Sequence, residues 1–298
     1  MNLIDDVIEY SGMVIRPPSE AESIIFQITL GCSDNGCIFC PAYKEKKFSV
    51  RGMAAIEKEM QTASRAFPDA RRIFFADGDA LAAGMQTLRD ACVCAIRYFP
   101  KLSRIALYGS AKSIEPFSVQ DLRELASLKL TMVYIGFETG DPGIYAGIHK
   151  YGTPDKNAAA CKKVMAAGMT ANATVILGLA GTERTADHAV NTAHLLNDAR
   201  PQQIAALTLM IAENTPLAAR VQRGAFSELK TFEYLSELKM MLENLDDFPC
   251  IFMADHASNY LPVRARFPRD RRRVISEIES ILSVGDLRTL VPENRRGL

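Results

Sequence analysis

The chain has no surplus of charge of either sign: 35 Lys and Arg stand against 35 Asp and Glu. Overall electrostatics therefore gives no reason to expect a polyanionic partner, and recognition of nucleic acid would need a local basic patch. No run approaches the length of clean apolar sequence that a membrane-spanning helix needs. The amino terminus, MNLIDDVIEYSGMVIRPPSE, carries early acids and lacks a basic segment ahead of a long apolar one, so it does not read as a secretory signal. These absences lead to the expectation of a soluble, cytoplasmic protein with no membrane attachment. Seven cysteines form an odd set, and their spacing is unlike that of a disulfide scaffold, which fits a reducing compartment. A phosphate-binding Gly-Lys-Ser/Thr run is missing as well.

No linker rich in Pro, Gly or Ser interrupts the chain before residue 215. What fills that stretch is an alternation of short apolar runs with helical spacing. Strand-like segments fall at 23–30, 72–76 (RIFFA), 103–108 (SRIALY), 131–137 (TMVYIGF), 171–177 (ANATVIL) and 204–211. Helical spacing is seen at 53–67, 88–99, 122–128, 155–167 and 185–198. A β/α unit repeated about six times predicts an α/β fold with a parallel sheet. Residues 1–215 are read as the core and 216–298 as a carboxyl-terminal extension. The extension has a long helix at 226–245, a short strand at 250–254 and a last helix at 274–282. In such folds ligands collect beyond the carboxyl ends of the strands. The loop after residue 30, the Asp77 turn, Gly109-Ser110, Glu138-Thr139-Gly140 and Gly178-Leu179-Ala180-Gly181 all fall at predicted strand ends and are expected to share one rim.

The first of these loops, TLGCSDNGCIFCPAY, places Cys32, Cys37 and Cys40 among Gly31, Asn35 and Gly36, whose backbones allow a tight curl. Three convergent thiolates suit an iron–sulfur cluster with one open iron, or a zinc site completed by a histidine. The next histidine is His149, which has no zinc-ligand spacing to the loop. Buried structural cysteines are the plain alternative. Cys92, Cys94, Cys161 and Cys250 are too scattered to make a second cluster.

With these residues the chain resembles the radical S-adenosylmethionine (radical SAM) superfamily, in the branch with the Elp3, MiaB and NifB proteins and oxygen-independent coproporphyrinogen oxidase. The usual family motif has three residues between its first two cysteines; here there are four, while the second interval and the aromatic before the last cysteine are kept. The resemblance covers roughly residues 20–215 and implies a partial (β/α)6 TIM-like barrel. It implies that Cys32, Cys37 and Cys40 hold a [4Fe-4S] cluster that binds S-adenosyl-L-methionine and cleaves it reductively to a 5′-deoxyadenosyl radical. It further implies adenine-side roles for Phe39, Ile176 and Gly178. Asp77, Gly78 and Asp79 stand in the glycine-rich turn that receives the methionine amino group, Ser110 stands at the next strand end, and Glu138 stands in the segment that meets the cofactor amine or ribose. An external one-electron reductant such as flavodoxin or ferredoxin is implied too.

The substrate side is read from FMADHASNYL, where Asp255, His256, Asn259 and Tyr260 follow a short strand. His can exchange a proton near neutrality, Tyr can donate a proton or hydrogen bond, and Asn can orient a polar group. The same residues can equally cap and close the fold. Arg264, Arg266, Arg269 and Arg271 to Arg273 either contact RNA phosphates or pair with nearby acids on a solvated face. An enzyme acting on a small metabolite is the leading expectation, with an RNA- or protein-modifying enzyme second and a noncatalytic metal-binding module third. No cobalamin-binding domain is discernible.

Overall fold

The computed structural model describes residues 8–297. The first residues of the amino-terminal reading, with their early acids, therefore lie outside the described residues. The chain divides into two compact units. The first comprises the described residues through Asn35, then Ala42–Ile135 and Lys163–Ala171; the second comprises Gly36–Pro41, Gly136–Lys162 and the chain from Asn172 onward.

The first unit opens with β1 (Ile24–Gln27), β2 (Thr29–Leu30), β3 (Ser49–Val50) and α1 (Met53–Ala66). It continues with β4 (Arg72–Ala76), α2 (Met85–Tyr98), β5 (Arg104–Gly109), α3 (Ala111–Ile114), α4 (Val119–Ser127) and most of β6 (Leu130–Glu138). β1, β4, β5 and β6 lie side by side and parallel, with Ile24 opposite Ile73, Ile73 opposite Ile105 and Ala106 opposite Met132. Strands covered on both faces should read as continuous apolar runs, and the four residues Ile73 to Ala76 are all fully buried. Phe74 meets Tyr108 edge-on with ring centroids 5.0 Å apart, and Tyr134 joins both at 6.0 Å. Such aromatic contacts add about 0.5–1.5 kcal/mol per pair beyond area burial. The buried Glu20 carboxylate is held by Tyr134, Ser23 and Arg104, so a charge at the edge of this core is fully paired.

α5 (Pro142–Gly147), α6 (Pro154–Ala166), β7 (Thr170–Leu177), α7 (Thr185–Ala199) and β8 (Gln203–Thr208) follow. After them come α8 (Pro216–Gln222), α9 (Thr231–Glu243), β9 (Cys250–Met253), β10 (Arg264–Phe267) and α10 (Arg271–Val284). In the second unit β7, β8 and β9 pair in parallel, and β10 closes that edge antiparallel to β9. Phe252 and Phe267 stack across the β9–β10 pair at 5.0 Å. β10 is a strand that the sequence reading did not expect.

The long helix expected at 226–245 starts only at Thr231, as α9, and is preceded by α8, a short helix that the sequence did not announce. Thr215 caps α8 by accepting from the Ala218 N–H, with Pro216 in the first turn where its missing donor costs nothing. Residues 226–230 cannot join α9, because the Ser227 carbonyl is engaged by the Thr182 N–H at 3.0 Å. Among the described residues no helix is long and apolar enough to cross a membrane.

Candidate active site

In the first unit, the loop after β2 is tied to the turn after β4 by a chain of hydrogen bonds. The buried Asp77 carboxylate accepts from the Gly31 N–H at 2.9 Å, from Gln27 at 3.0 Å and from Lys46 at 2.9 Å. The Gly78 N–H donates to the Gly31 carbonyl at 3.1 Å. Asp79, also buried, accepts from Ser33, from Ser110 at 2.8 Å and from Ser113 at 2.6 Å. Ser110 in turn caps α3 in a reciprocal box with Ser113. Three sequence-predicted residues thus hold protein groups: both aspartates and Ser110 fix the cysteine loop and the end of β5. Gly78 is different. A Cβ there would stand 2.6 Å from the Tyr43 ring and 3.0 Å from the Cys32 Cβ, so the turn approaches the cysteine loop as closely as only glycine permits.

In the second unit, Cys37 is buried, whereas Phe39 and Cys40 are half-buried. The Ile38 N–H donates to the Ile148 carbonyl at 3.0 Å, and the Ile38 carbonyl accepts from the Leu217 N–H at 3.1 Å. Glu138 pairs with Lys150 at 2.9 Å. Burial works against the Lys150 charge, yet attraction from Glu138, then from Cys37 and Tyr145, raises its pKa well above the ordinary value. Burial pushes the Tyr145 phenol up to about 12, so it keeps its proton while donating to the Tyr151 carbonyl.

The turn after β7 is anchored differently. Gly178 has a φ of +86°, and a Cβ on it would lie 2.3 Å from Tyr234. Its N–H donates to Glu237 at 2.7 Å, and the same buried carboxylate accepts from Thr185 and pairs with His188 Nδ1 at 2.9 Å. Ile176, one strand position before Leu177, is half-buried. Glu237 and His188, which hold this turn, were not singled out as site residues from the sequence. They sit on α9 and α7, far apart in sequence, and only their burial marks them.

The residues expected on the substrate side are each engaged by protein. Asn259 accepts from Thr208 and donates to the Ala206 carbonyl, at 2.9 and 3.0 Å. The Tyr260 hydroxyl donates to Glu293 at 2.6 Å, its ring lies under the Arg296 guanidinium at 3.9 Å, and burial raises its pKa to about 12. His256 accepts from the Ser258 N–H at 3.1 Å, and burial lowers its pKa against the opposing pull of Asp255. Asp255 itself stands 3.7 Å from Arg264. Of the six basic residues noted above, Arg264, Arg269, Arg271 and Arg273 all have carboxylate partners.

No disulfide joins any of the seven cysteines. Burial raises the pKa of Cys94 to about 11 and of Cys161 and Cys250 to about 12, and it raises Cys92 further still. Those four behave as small apolar side chains. Among the described residues, no three His, Cys, Asp or Glu side chains are gathered closely enough to hold a metal ion. Even so, the donor chemistry of the loop fits an iron–sulfur centre: three cysteines outside any disulfide, within nine residues of one another. Metal sites in general are completed by the metal, because binding and ordering of the ligands are coupled.

Residues 26–196 match the family model described as the radical SAM superfamily. No curated protein matches the sequence. Among solved structures, the chain is similar to the cobalamin-dependent S-adenosylmethionine radical enzyme OxsB, with a TM-score of 0.59 and 14% identity over 88% of this chain and 46% of that one. It is similar to the radical S-adenosylmethionine methyltransferase TsrM from Kitasatospora setae, with a TM-score of 0.55 and 16% identity over 67% of this chain and 36% of that one. It is also similar to methylornithine synthase, with a TM-score of 0.54 and 12% identity over 86% of this chain and 80% of that one. The chain therefore spans less than half the length of TsrM and OxsB. These likenesses show the fold, a partial (β/α) TIM-like barrel with helices flanking a mixed sheet.

Proposed function

Since the chain belongs to the radical SAM superfamily, we propose that it is an enzyme that uses a [4Fe-4S] cluster and S-adenosyl-L-methionine to abstract hydrogen from a small metabolite. Cys32, Cys37 and Cys40 would hold the cluster. When bound, cluster and S-adenosylmethionine together supply the one-electron chemistry that breaks a substrate C–H bond. The observation that carries the reading is the set of contacts converging on the cysteine loop. Asp77 holds its entry at Gly31, Asp79 holds Ser33, Gly78 leaves room against Cys32, and Lys150 places positive charge beside Cys37.

The chain's own residues have distinct tasks in this reading. Gly78 keeps its turn close to the loop with no side chain in the way, leaving room for the amino group of the cofactor. Lys150 balances Cys37 and Glu138 in a buried setting, where an unpaired charge would be costly. The Glu237 carboxylate fixes the Gly178 turn, which would flank adenine together with Phe39 and Ile176. Near the carboxyl terminus, His256 is kept neutral with Nδ1 occupied as an acceptor, which leaves Nε2 as the position for the proton. Pairing of Arg264, Arg269, Arg271 and Arg273 with acids supports a small-molecule substrate over RNA, because a paired arginine has little charge left for phosphate. An acidic flavodoxin or ferredoxin would serve as reductant.

The test is anaerobic reconstitution with iron and sulfide, followed by quantitation of 5′-deoxyadenosine from S-adenosylmethionine after dithionite reduction. Cysteine-dependent product, absent from the Cys32/Cys37/Cys40 triple-alanine variant, is expected. A chain that binds iron or zinc but gives no 5′-deoxyadenosine at all would overturn the reading and leave a metal-binding module.

A further inference from the structure

The second unit contains a cavity of about 170 Å³ whose walls include Ile38, Ile144, Leu179, Leu217 and Phe226. That volume is comparable to cavities that take up a benzene ring, and these side chains offer such a ring apolar contact. Two arginines, Arg184 and Arg220, complete the lining. They differ in what they have left to offer. Arg184 is spent: its guanidinium lies 2.7 Å from Asp141 and 3.4 Å from Asp187. Arg220, in the last turn of α8, has no hydrogen-bond or ion-pair partner for its guanidinium among the described residues.

We propose that this cavity is a binding site for a small carboxylate with a ring-sized apolar body, the body seated among Ile38, Ile144, Leu217 and Phe226 and the carboxylate paired with Arg220. An unpaired guanidinium at an apolar wall is satisfied best by an anion, and its planar fork matches a carboxylate in bidentate fashion. A phosphate monoester, with nearly two charges, would need a second free cation, which Arg184 does not supply. The site borders the cysteine loop through Ile38, which lies between Cys37 and Phe39. Its main-chain hydrogen bonds to Ile148 and Leu217 join the loop to both helical walls. A bound ligand therefore touches the loop directly.

The proposal stands on the cavity and on Arg220, not on radical chemistry, so its test needs neither cluster nor cofactor. Binding of 3-phenylpropanoate, 3-phenylpropanamide and phenyl phosphate to the full chain, metal-free and reconstituted, is measured by ligand-observed NMR and calorimetry. The acid is expected to bind at least about tenfold more tightly than the amide, and phenyl phosphate no more tightly than the acid. Arg220→Gln should level acid and amide while leaving amide binding unchanged, which also reports that the variant is folded. Arg184→Gln should preserve the preference, and Ile144→Trp should fill the cavity and abolish binding of both with the far-UV circular dichroism unchanged. Equal binding of acid and amide, a preference that survives Arg220→Gln, or no binding of either probe would overturn the assignment.

Discussion

At the scale of single residues, Gly78 is the most constrained position near the cysteine loop. A methyl group there meets the Tyr43 ring at 2.6 Å and Cys32 at 3.0 Å. Gly78→Ala is expected to cost about 1–3 kcal/mol through overpacking and to lower 5′-deoxyadenosine formation by about tenfold or more, as a displaced catalytic geometry does. Tyr43 is itself buried, so Tyr43→Ala alone also destabilises, but Gly78→Ala added to it is expected to cost less in urea unfolding than Gly78→Ala in the native chain. Persistence of the full loss in the double variant would place the clash elsewhere. His256 makes a prediction about pH. Burial lowers its folded-state pKa, so the unfolded chain binds a proton more readily than the native one. Its contribution to stability is complete above the unfolded value of about 6.5 and is lost as pH falls from there toward the lower native value. His256→Asn should flatten the fall in urea midpoint between about pH 7 and pH 5; an unchanged slope would show that another group sets it.

At the scale of elements, α9 governs the turn after β7 through one side chain. Glu237 takes hydrogen bonds from Gly178, Thr185 and His188, all in a buried setting. Glu237→Ala strands a buried N–H and an imidazole, a loss expected to cost about 1–3 kcal/mol for each unsatisfied group. If the turn serves the cofactor, the variant should also weaken S-adenosylmethionine binding, and Glu237→Gln, which can still accept from Gly178, should recover most of that affinity. Recovery of stability without recovery of affinity would confine Glu237 to a purely architectural task. This cluster was hidden from sequence reasoning because its members are about fifty residues apart and each looks like an ordinary helix residue. The strands β4, β5 and β7 were legible within a residue, since continuous apolar runs between turn residues have few other readings. β10 was not, although RARF alternates exposed and buried positions as an edge strand should. Its arginines drew attention to charge and away from period. The later start of α9, at 231 rather than 226, was missed for a related reason: the Ser227 carbonyl bonds to Thr182, a tertiary contact that no local pattern announces.

At the scale of the molecule, the cysteine loop was the clearest signal in the sequence, and family membership follows from a match across more than half the chain. The positions lining the loop were also visible as strand-end turns, but the division of labour among them was not. Asp77 and Asp79 stand in the turn the resemblance assigns to the cofactor, with side-chain roles the sequence left open; their oxygens hold the loop, because a buried carboxylate collects whichever donors the fold brings to it. In the proposed reading the loop meets a cluster with its frame already built, and ligation should add free energy that belongs to folding. Anything that binds the native chain and not the unfolded one raises apparent stability by mass action. Anaerobic loading with iron and sulfide is therefore expected to raise the thermal midpoint by several degrees, since about 1 kcal/mol shifts it by a few degrees in a chain of this size. Chelation should reverse the shift, and the Cys32/Cys37/Cys40 triple-alanine variant should show none, whereas Cys92→Ala, at a buried apolar thiol, should lower the midpoint yet keep the metal-dependent rise. Equal rises in the triple variant and the native chain would move the metal site away from the loop.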